Sequence, residues 1–215
     1  MKIHAFVPVR LNSTRLPGKS IKELAGRPLL DYVCRALLDV SQVSKVSIYA
    51  SRPEIMDFAP EGCEFVQRDS ALDADETLGQ DIYKSFAEMQ EADMYVLAHA
   101  TSPFISAASV AHAVNQVRSG TFDSAATVER VQTFCWYDSQ PINFHSQKRG
   151  RTQDLAPIFR ETSGCYVFLR EHALVGNRLG KRPYFHECLL PESIDIDDHD
   201  DWRLAEFFAE HGSLH

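Results

Sequence analysis

The sequence predicts an α/β fold: one mainly parallel sheet with helices on both of its faces. Two observations carry this prediction. Short apolar runs with strand character alternate along the chain with longer segments in which apolar residues recur at helical spacing. Such alternation is typical of strands joined by crossover helices. The chain of 215 residues is also long enough to bury one core, so we expect a single domain over residues 1–215.

The predicted elements follow the apolar runs in chain order. The predicted strands cover residues 2–9, 46–50, 63–66, 94–98, 124–131 and 164–169. The first predicted helix begins at Pro28, which suits a first turn because its missing N–H is not needed there. Further helices are predicted over residues 78–89, 107–117 and 200–210.

The alternation stops over residues 132–155, which are rich in aromatic and polar side chains and show no clear period. We interpret this stretch as an excursion from the sheet that lies at a subunit interface. The alternative interpretation is a long surface loop.

Charge and composition narrow the function classes. Hydrophobic residues make up 44% and charged residues 24%, as in ordinary soluble proteins. The formal charge of −8 argues against a nucleic-acid partner, since nonspecific binding of nucleic acid needs a broad basic surface. An anionic ligand would need a local basic site in such a chain.

Cysteine spacing and hydropathy bear on location. The five cysteines form no C-x-x-C pair, and no apolar run approaches the roughly 20 residues of a membrane span. The first apolar run is short and is broken by His4, unlike a signal peptide. We therefore expect a reduced, cytoplasmic protein with no membrane partner.

The segment after the first predicted strand is the strongest chemical signal. Arg10, Arg15 and Lys19 lie in it with the hydroxyls of Ser13 and Thr14. Guanidinium and ammonium groups bind phosphate oxygens, and open α/β sheets bind ligands where strands end. The segment therefore predicts a polyphosphate site, the alternative being a solvated basic loop.

Residues 193–197 carry the second signal, an alternation of apolar and acidic side chains. In an extended strand Asp195 and Asp197 share one face, where two carboxylates beside a phosphate site suit Mg²⁺. The alternative is that Asp197, Asp198, Asp200 and Asp201 cap the following helix and suit its dipole. Both can hold if residues 198–201 serve the helix while Asp195 and Asp197 hold metal.

Several common motifs are absent from the sequence. It contains no G-x-x-x-x-G-K-[ST], G-x-G-x-x-G, G-x-S-x-G or H-E-x-x-H. A P-loop and a standard dinucleotide site are therefore unsupported. The nine histidines are dispersed, which argues against a zinc site.

Four segments in register resemble the acylneuraminate cytidylyltransferases, the CMP-sialic acid synthetase family. The opening matches the family's Ile-Pro-Ala-Arg-x-x-Ser-(Lys/Thr)-x-x-Pro-x-Lys at Pro8, Arg10, Ser13, Pro17 and Lys19. Residues 99–104 resemble Gln-Pro-Thr-Ser-Pro-Leu, and residues 151–157 resemble Arg-x-Gln-Asp-Leu-Pro-Pro. Residues 192–197 resemble the family's Ser-Ile-Asp-Ile-Asp close.

The resemblance implies a Rossmann-like, glycosyltransferase A-like nucleotidyltransferase that pairs into a homodimer through the excursion. It implies that CTP and a nonulosonic (sialic-type) 2-keto sugar acid give the CMP-sugar and pyrophosphate, with Mg²⁺ as cofactor. The implied nucleotide contacts are Arg10, Asn12, Ser13, Arg15, Lys19, Arg68 and Ser102, with residues 79–81 near the ribose. The implied sugar contacts are His99, Arg151 and Gln153, the metal ligands Asp195 and Asp197, and the catalytic groups Lys19, Arg10 and Asp197.

The chain also departs from the family pattern, and alternatives stay open. Ser20, His99 and Ile105 stand where the family has Asn, Gln and Arg, and Arg149 competes with Arg151 as the partner of the sugar carboxylate. One alternative is a 3-deoxy-manno-octulosonate cytidylyltransferase, which residues 13–19 also resemble, although that family's Gln-Gly-Asp-Glu-Pro is missing. Another is a nucleotide-binding relative without catalysis.

Overall fold

A seven-stranded sheet forms the centre of the protein in the computed structural model, which describes residues 1–10, 18–148 and 150–212. In chain order its strands are β1 (Ile3–Pro8), β2 (Lys45–Ala50), β3 (Glu64–Gln67), β4 (Met94–Ala98), β5 (Ser124–Val131), β6 (Ile158–Leu169) and β7 (Pro183–Glu187). The spatial order is β7-β5-β6-β4-β1-β2-β3. Only β6 runs antiparallel to its neighbours β4 and β5 in this sheet, which confirms the mainly parallel arrangement.

Five α-helices accompany the sheet in the described part of the chain. They are α1 (Leu29–Leu38), α2 (Gly79–Met89), α3 (Ala107–Arg118), α4 (Arg170–Leu174) and α5 (His199–His211). Short 3-10 turns cover Lys19–Ile21, Pro53–Phe58, Ser70–Asp73 and Thr152–Asp154. Two small hairpins pair Glu23–Leu24 with Arg27–Pro28 and Trp136–Tyr137 with Gln140–Pro141.

Side chains that alternate along each strand build a core on each face of the sheet. Helices α1 and α3 pack on one face, where Val7 of β1 is fully buried. Helices α2 and α4 pack on the other face, where Phe6 stacks on Phe86 with ring centroids 4.0 Å apart. The expectation of helices on both faces is therefore confirmed.

A third apolar cluster anchors the end of the chain. Ile194 and Ile196 are buried there with Trp202 of α5 and Leu29 of α1. The backbone N–H of Ile196 donates to the carbonyl of Thr101, 2.8 Å away. This cluster fixes the acidic segment 194–197 beside the end of β4.

Most sequence-predicted elements are confirmed, and β4 and β5 have the predicted bounds. Strand β6 begins six residues earlier than predicted, at Ile158, and β7 and α4 were missed. Residues 194–197 belong to no strand, so that part of the prediction was wrong. Their single backbone bond to Thr101 does not make a ladder.

Residues 132–155 leave the central sheet, as expected, and hold the second hairpin and a 3-10 turn. Trp136 and Tyr137 are exposed at 49% and 77%. No helix within the described residues is long and apolar enough to cross a membrane.

Candidate functional site

A cavity of about 230 Å³ opens where the parallel strands β1, β3 and β4 end. Ligands of open α/β sheets bind at this edge. The lining combines cations, one carboxylate and apolar walls: Pro8, Arg10, Arg68, Leu72, Ala74, Asp75, Thr77, Gly79, Ile82, Tyr83, Leu97, His99 and Arg178.

Arg68 lies at the inner end of the cavity and is only 3% exposed. Its guanidinium donates to the carbonyl of Val9 at 2.8 Å, to the carbonyl of Tyr49 at 3.3 Å, and to the carboxylate of Asp73. Its buried Nε–H has no hydrogen-bond partner among the described residues. A buried donor without a partner costs free energy, so this N–H is suited to an acceptor on a ligand.

Arg10 lines the mouth of the same cavity and forms a 2.8 Å ion pair with Asp75. Both side chains are solvent-exposed, so this pair contributes little to stability and can open for an anion. The predicted nucleotide contacts Asn12, Ser13 and Arg15 lie outside the described residues.

Lys19 follows Gly18, whose φ of +68° lets the chain turn into the 3-10 helix. The Lys19 ammonium is buried and donates to the carbonyl of Ile196 at 2.5 Å and to Asp197 Oδ1 at 3.2 Å. The basic segment and the acidic segment, 178 residues apart at this contact, therefore meet at one point.

Asp195 and Asp197 alternate with two buried isoleucines, as the sequence predicts. Asp195 Oδ1 is buried and has no hydrogen-bond partner in the part of the chain that the structure describes. The cap of α5 is made by other residues: Asp198 accepts from Asp201 N–H, and the Asp201 carboxylate accepts from Asp198 N–H. The acids that cap the helix are therefore distinct from the pair 195 and 197.

A bulge in β6 places the groups around His99. Four residues, 162–165, stand opposite Thr127 alone on β5, and Ser163 has a φ of +59°. The Ser163 carbonyl lies 2.9 Å from His99 Nδ1. A carbonyl only accepts, so Nδ1 carries the proton and Nε2 is left as an acceptor. Burial lowers the pKa of His99, which keeps the ring neutral near pH 7.

His99 connects the two halves of the site. It lines the cavity, and its electrostatic partners include the Asp195 carboxylate and the Lys19 ammonium. Arg68, Arg10, His99, Lys19 and the acidic pair therefore surround one region at the edge of the sheet.

Arg178, the third arginine of the cavity lining, was not predicted from the sequence and lies at the His99 end of the cavity. Arg178 forms a 2.8 Å ion pair with Glu161, and its guanidinium lies 3.9 Å from the ring centre of Tyr166. The Tyr166 hydroxyl donates to the same carboxylate at 2.6 Å. Arg178 lies between α4 and β7, in a stretch without periodicity, so only the fold brings it here.

Six predicted site residues in the described part of the chain lie outside the cavity lining: Lys19, Asp195 and Asp197, whose contacts are given above, and Ser102, Arg151 and Gln153. Ser102 is fully buried and donates to the Thr162 carbonyl at 3.2 Å, where it joins two segments. Arg151 is exposed and pairs with Asp154, and Gln153 lies in the same 3-10 turn. Their predicted ligand contacts stay predictions.

The fold and this edge define a Rossmann-like nucleotidyltransferase architecture. The finer assignment follows from sequence: the chain matches the family described as Cytidylyltransferase over residues 4–187, and it belongs to that family.

Similar proteins include the N-acylneuraminate cytidylyltransferase of Oncorhynchus mykiss, which is 30% identical over 95% of this chain. The chain spans only 49% of that relative's length. The CMP-N,N'-diacetyllegionaminic acid synthase of Legionella pneumophila is 28% identical over 98% of this chain and 97% of its own length.

The fold is similar to a solved CMP:2-keto-3-deoxy-manno-octonic acid synthetase complexed with CTP. The TM-score is 0.77 at 16% identity, over 99% of this chain and 100% of that one. Because the sequence identity is this low, the similarity supports the fold alone.

Proposed function

We propose that this chain is a cytidylyltransferase that activates a nonulosonic, sialic-type 2-keto sugar acid with CTP and releases pyrophosphate. The observation that carries the proposal is the contact between Lys19 and the segment of Asp195 and Asp197. A buried cation beside two carboxylates, at the edge where parallel strands end, suits a nucleoside triphosphate with its metal.

In the proposed reaction the anomeric hydroxyl of the sugar acid attacks the α-phosphorus of CTP. The bond from the α-phosphorus to the bridging oxygen breaks, and pyrophosphate leaves with that oxygen. Negative charge moves onto the leaving group, so Lys19 and Arg10 act by neutralising it. Phosphoryl transfer depends mainly on such positioning and electrostatics.

The residues at 195 and 197 fit a magnesium ion. Both offer hard carboxylate oxygens, and the buried Asp195 Oδ1 without a protein partner is an atom that a cation would satisfy. When bound, the ion supplies charge that polarises the α-phosphate. Asp197 also holds the Lys19 ammonium, so it has a positioning role of its own.

The cytosine of CTP and the acceptor sugar occupy opposite ends of the cavity in this proposal. Arg68, which lines the cavity, contacts the cytosine, and Gly79 leaves room for the ribose. At the other end, His99 Nε2 accepts the proton of the attacking hydroxyl, and Arg178 offers its cation to the sugar carboxylate.

Two features support a nonulosonic acid over the octulosonate. Residues 99–103 read His-Ala-Thr-Ser-Pro in place of Gln-Gly-Asp-Glu-Pro, and the Legionella relative, matched along nearly its full length, is named for a legionaminic acid. The chain retains both the basic residues and the acidic pair of the family pattern. This supports an active enzyme over a nucleotide-binding relative without catalysis.

A homodimer is part of the proposal. Exposed aromatic side chains lie in residues 132–155 and in β6 and β7, and we propose that a second copy covers them. A cytoplasmic location remains an expectation from cysteine usage.

Pyrophosphate release by the purified chain with CTP and Mg²⁺ tests the function. We expect release only when a nonulosonic acid is added, from a panel of sialic, legionaminic and pseudaminic acids. Turnover with the octulosonate alone would move the chain to the other acceptor class. CTP binding in a calorimeter without release by any acceptor would identify a non-catalytic relative.

A further inference from the structure

Three side chains of metal-binding type meet near the end of the edge strand β7. Most of the cavity lining lies on the other side of β6 in the sheet. His186 is in β7, Cys188 follows it, and Glu192 is in the next turn. One ligand atom from each, a nitrogen, a sulfur and an oxygen, lies within 4.8 Å of the other two. All three lie within residues 186–192, and the turn after β7 brings Glu192 back to the other two.

Alternation along β7 explains the geometry. His186 and Cys188 are two residues apart, so they point to the same face, toward the start of α3. Cys188 is 1% exposed, and its backbone N–H donates to the Val128 carbonyl at 2.8 Å. The backbone at Cys188 is therefore held in place.

Glu192 is also held in place. Its Oε1 accepts from the Ser106 N–H at 3.0 Å, and its Oε2 accepts from the Ser109 hydroxyl at 2.7 Å. Carboxylates that bind metal are commonly oriented by such hydrogen bonds. The Cys188 thiol also bonds the Glu192 carboxylate, and a metal ion would replace that contact.

We propose that His186, Cys188 and Glu192 form a binding site for a zinc-like divalent ion. Mixed nitrogen, sulfur and oxygen ligands suit Zn²⁺, whereas the oxygen-only pair of Asp195 and Asp197 suits Mg²⁺. Three protein ligands leave one position for water. The inference does not rest on the proposed function, because it uses none of the residues assigned to CTP or sugar.

Such an ion would join three parts of the fold. It would tie β7 to the start of α3 through Glu192 and its serine partners. It would also tie both to the segment that continues, three residues later, into Asp195. We therefore expect the ion to stabilise the folded chain.

Cobalt provides the direct probe. The full chain, stripped with a chelator and held in excess Mg²⁺, is titrated with Co²⁺ while visible and near-ultraviolet absorption are recorded. We expect one ion per chain, a thiolate-to-cobalt charge-transfer band, and displacement by Zn²⁺. Zn²⁺ at a hundredfold excess over Kd should raise Tm by about 5 °C or more.

Matched variants locate the ion. Cys188→Ser should lose the charge-transfer band and weaken binding at least tenfold, while Cys135→Ser, outside the cluster, should titrate like the wild type. Glu192→Gln keeps an acceptor for the serines and should also weaken binding at least tenfold, which guards against a folding defect in Cys188→Ser.

Two results would overturn the site. One is the absence of saturable Co²⁺ binding in excess Mg²⁺. The other is binding that survives both Cys188→Ser and Glu192→Gln but is lost in Asp195→Asn, which would place the ion at the magnesium pair.

Discussion

Lys19 is a buried ammonium whose contacts come from the opposite end of the chain. It donates to the Ile196 carbonyl and to Asp197, and an ammonium has three N–H donors. The two contacts aim the charge and, among the described residues, leave one donor for a phosphate oxygen. Burial makes this charge act more strongly than it would in water.

His99 combines a neutral ring with a fixed tautomer. The neutral form is the active one in our proposal, and burial lowers the pKa of His99. Activity should therefore hold as pH falls through the ordinary histidine range and decline only below it.

His99→Gln tests this role. We expect the acidic decline of kcat/KM to disappear in this variant, and His99→Ala to lose about 10²-fold in kcat at neutral pH. Both variants use the same CTP, whose own titration is thus common to all profiles. An unchanged acidic decline in His99→Gln would remove the imidazole from the reaction.

A second prediction about a single residue concerns Asp195. Asp195→Asn should raise the Mg²⁺ concentration needed for half-maximal turnover at least tenfold, because it removes one negative ligand. Asp200→Asn is the control, since Asp200 is exposed and pairs with Arg203. Equal Mg²⁺ dependence in the two variants would contradict the metal assignment.

The bulge in β6 is the element that shapes the site. Thr127 Oγ1 accepts from the Thr162 hydroxyl at 2.9 Å and from the Cys165 N–H at 3.0 Å. These two bonds hold both ends of the bulge to the same residue of β5. The strained backbone at Ser163 is held by these bonds and presents its carbonyl to His99.

Strands β1 and β2 are joined by a buried hydrogen bond that depends on pH. His4 Nε2 lies 2.8 Å from the Ser47 hydroxyl, and burial lowers the pKa of His4 to about 4. The unfolded chain binds a proton near pH 6.5, so it binds more protons than the native state between about pH 6.5 and 4. Stability therefore falls as pH falls through this window and levels off below it.

His4→Gln should remove this dependence. Between about pH 7 and pH 5 the free energy of unfolding of the wild type should drop by roughly 2 kcal/mol more than that of the variant. Urea unfolding at both pH values measures the difference. Equal drops in the two proteins would show that His4 titrates normally.

Elements with a clear period were predictable from the sequence, and elements defined by pairing were not. The run 94–98 is uniformly apolar because β4 is covered on both faces. Strand β7 escaped prediction because this edge strand mixes Pro183, His186 and Glu187 with aromatics. The start of β6 escaped because its residues before the bulge are largely polar and partly exposed.

At the scale of the whole molecule, the parallel sheet brings distant segments to one edge. Arg10 and Lys19 follow β1, and Asp195 and Asp197 precede α5. This contact was predictable because the basic segment directly follows a predicted strand and the acidic segment directly precedes a predicted helix. The positions of Arg178 and Glu161 were not, since they depend on the bulge and on the loop after α4.

The exposed aromatic side chains of the excursion and of β6 and β7 lead to a prediction about assembly. Phe159 and Phe185 are exposed with ring centroids 5.8 Å apart, and Tyr137 is exposed in the hairpin of the excursion. Light scattering after gel filtration should give twice the chain mass of 24.3 kDa. Tyr137→Asp should shift the protein toward monomer, whereas Leu204→Asp on α5 should not. A monomeric wild type would contradict the proposed dimer.

The central claim is that Lys19 and the acids at 195 and 197 act on one CTP molecule. The most direct measurement compares steady-state kinetics of Lys19→Ala and Lys22→Ala with CTP, Mg²⁺ and the accepted sugar acid. Lys22 is three residues away, with its ammonium 3.6 Å from the Trp202 ring centre. We predict that Lys19→Ala loses kcat by about 10²-fold or more with a smaller change in KM, and that Lys22→Ala stays within about twofold of the wild type. Near-normal turnover of a folded Lys19→Ala protein would contradict the account.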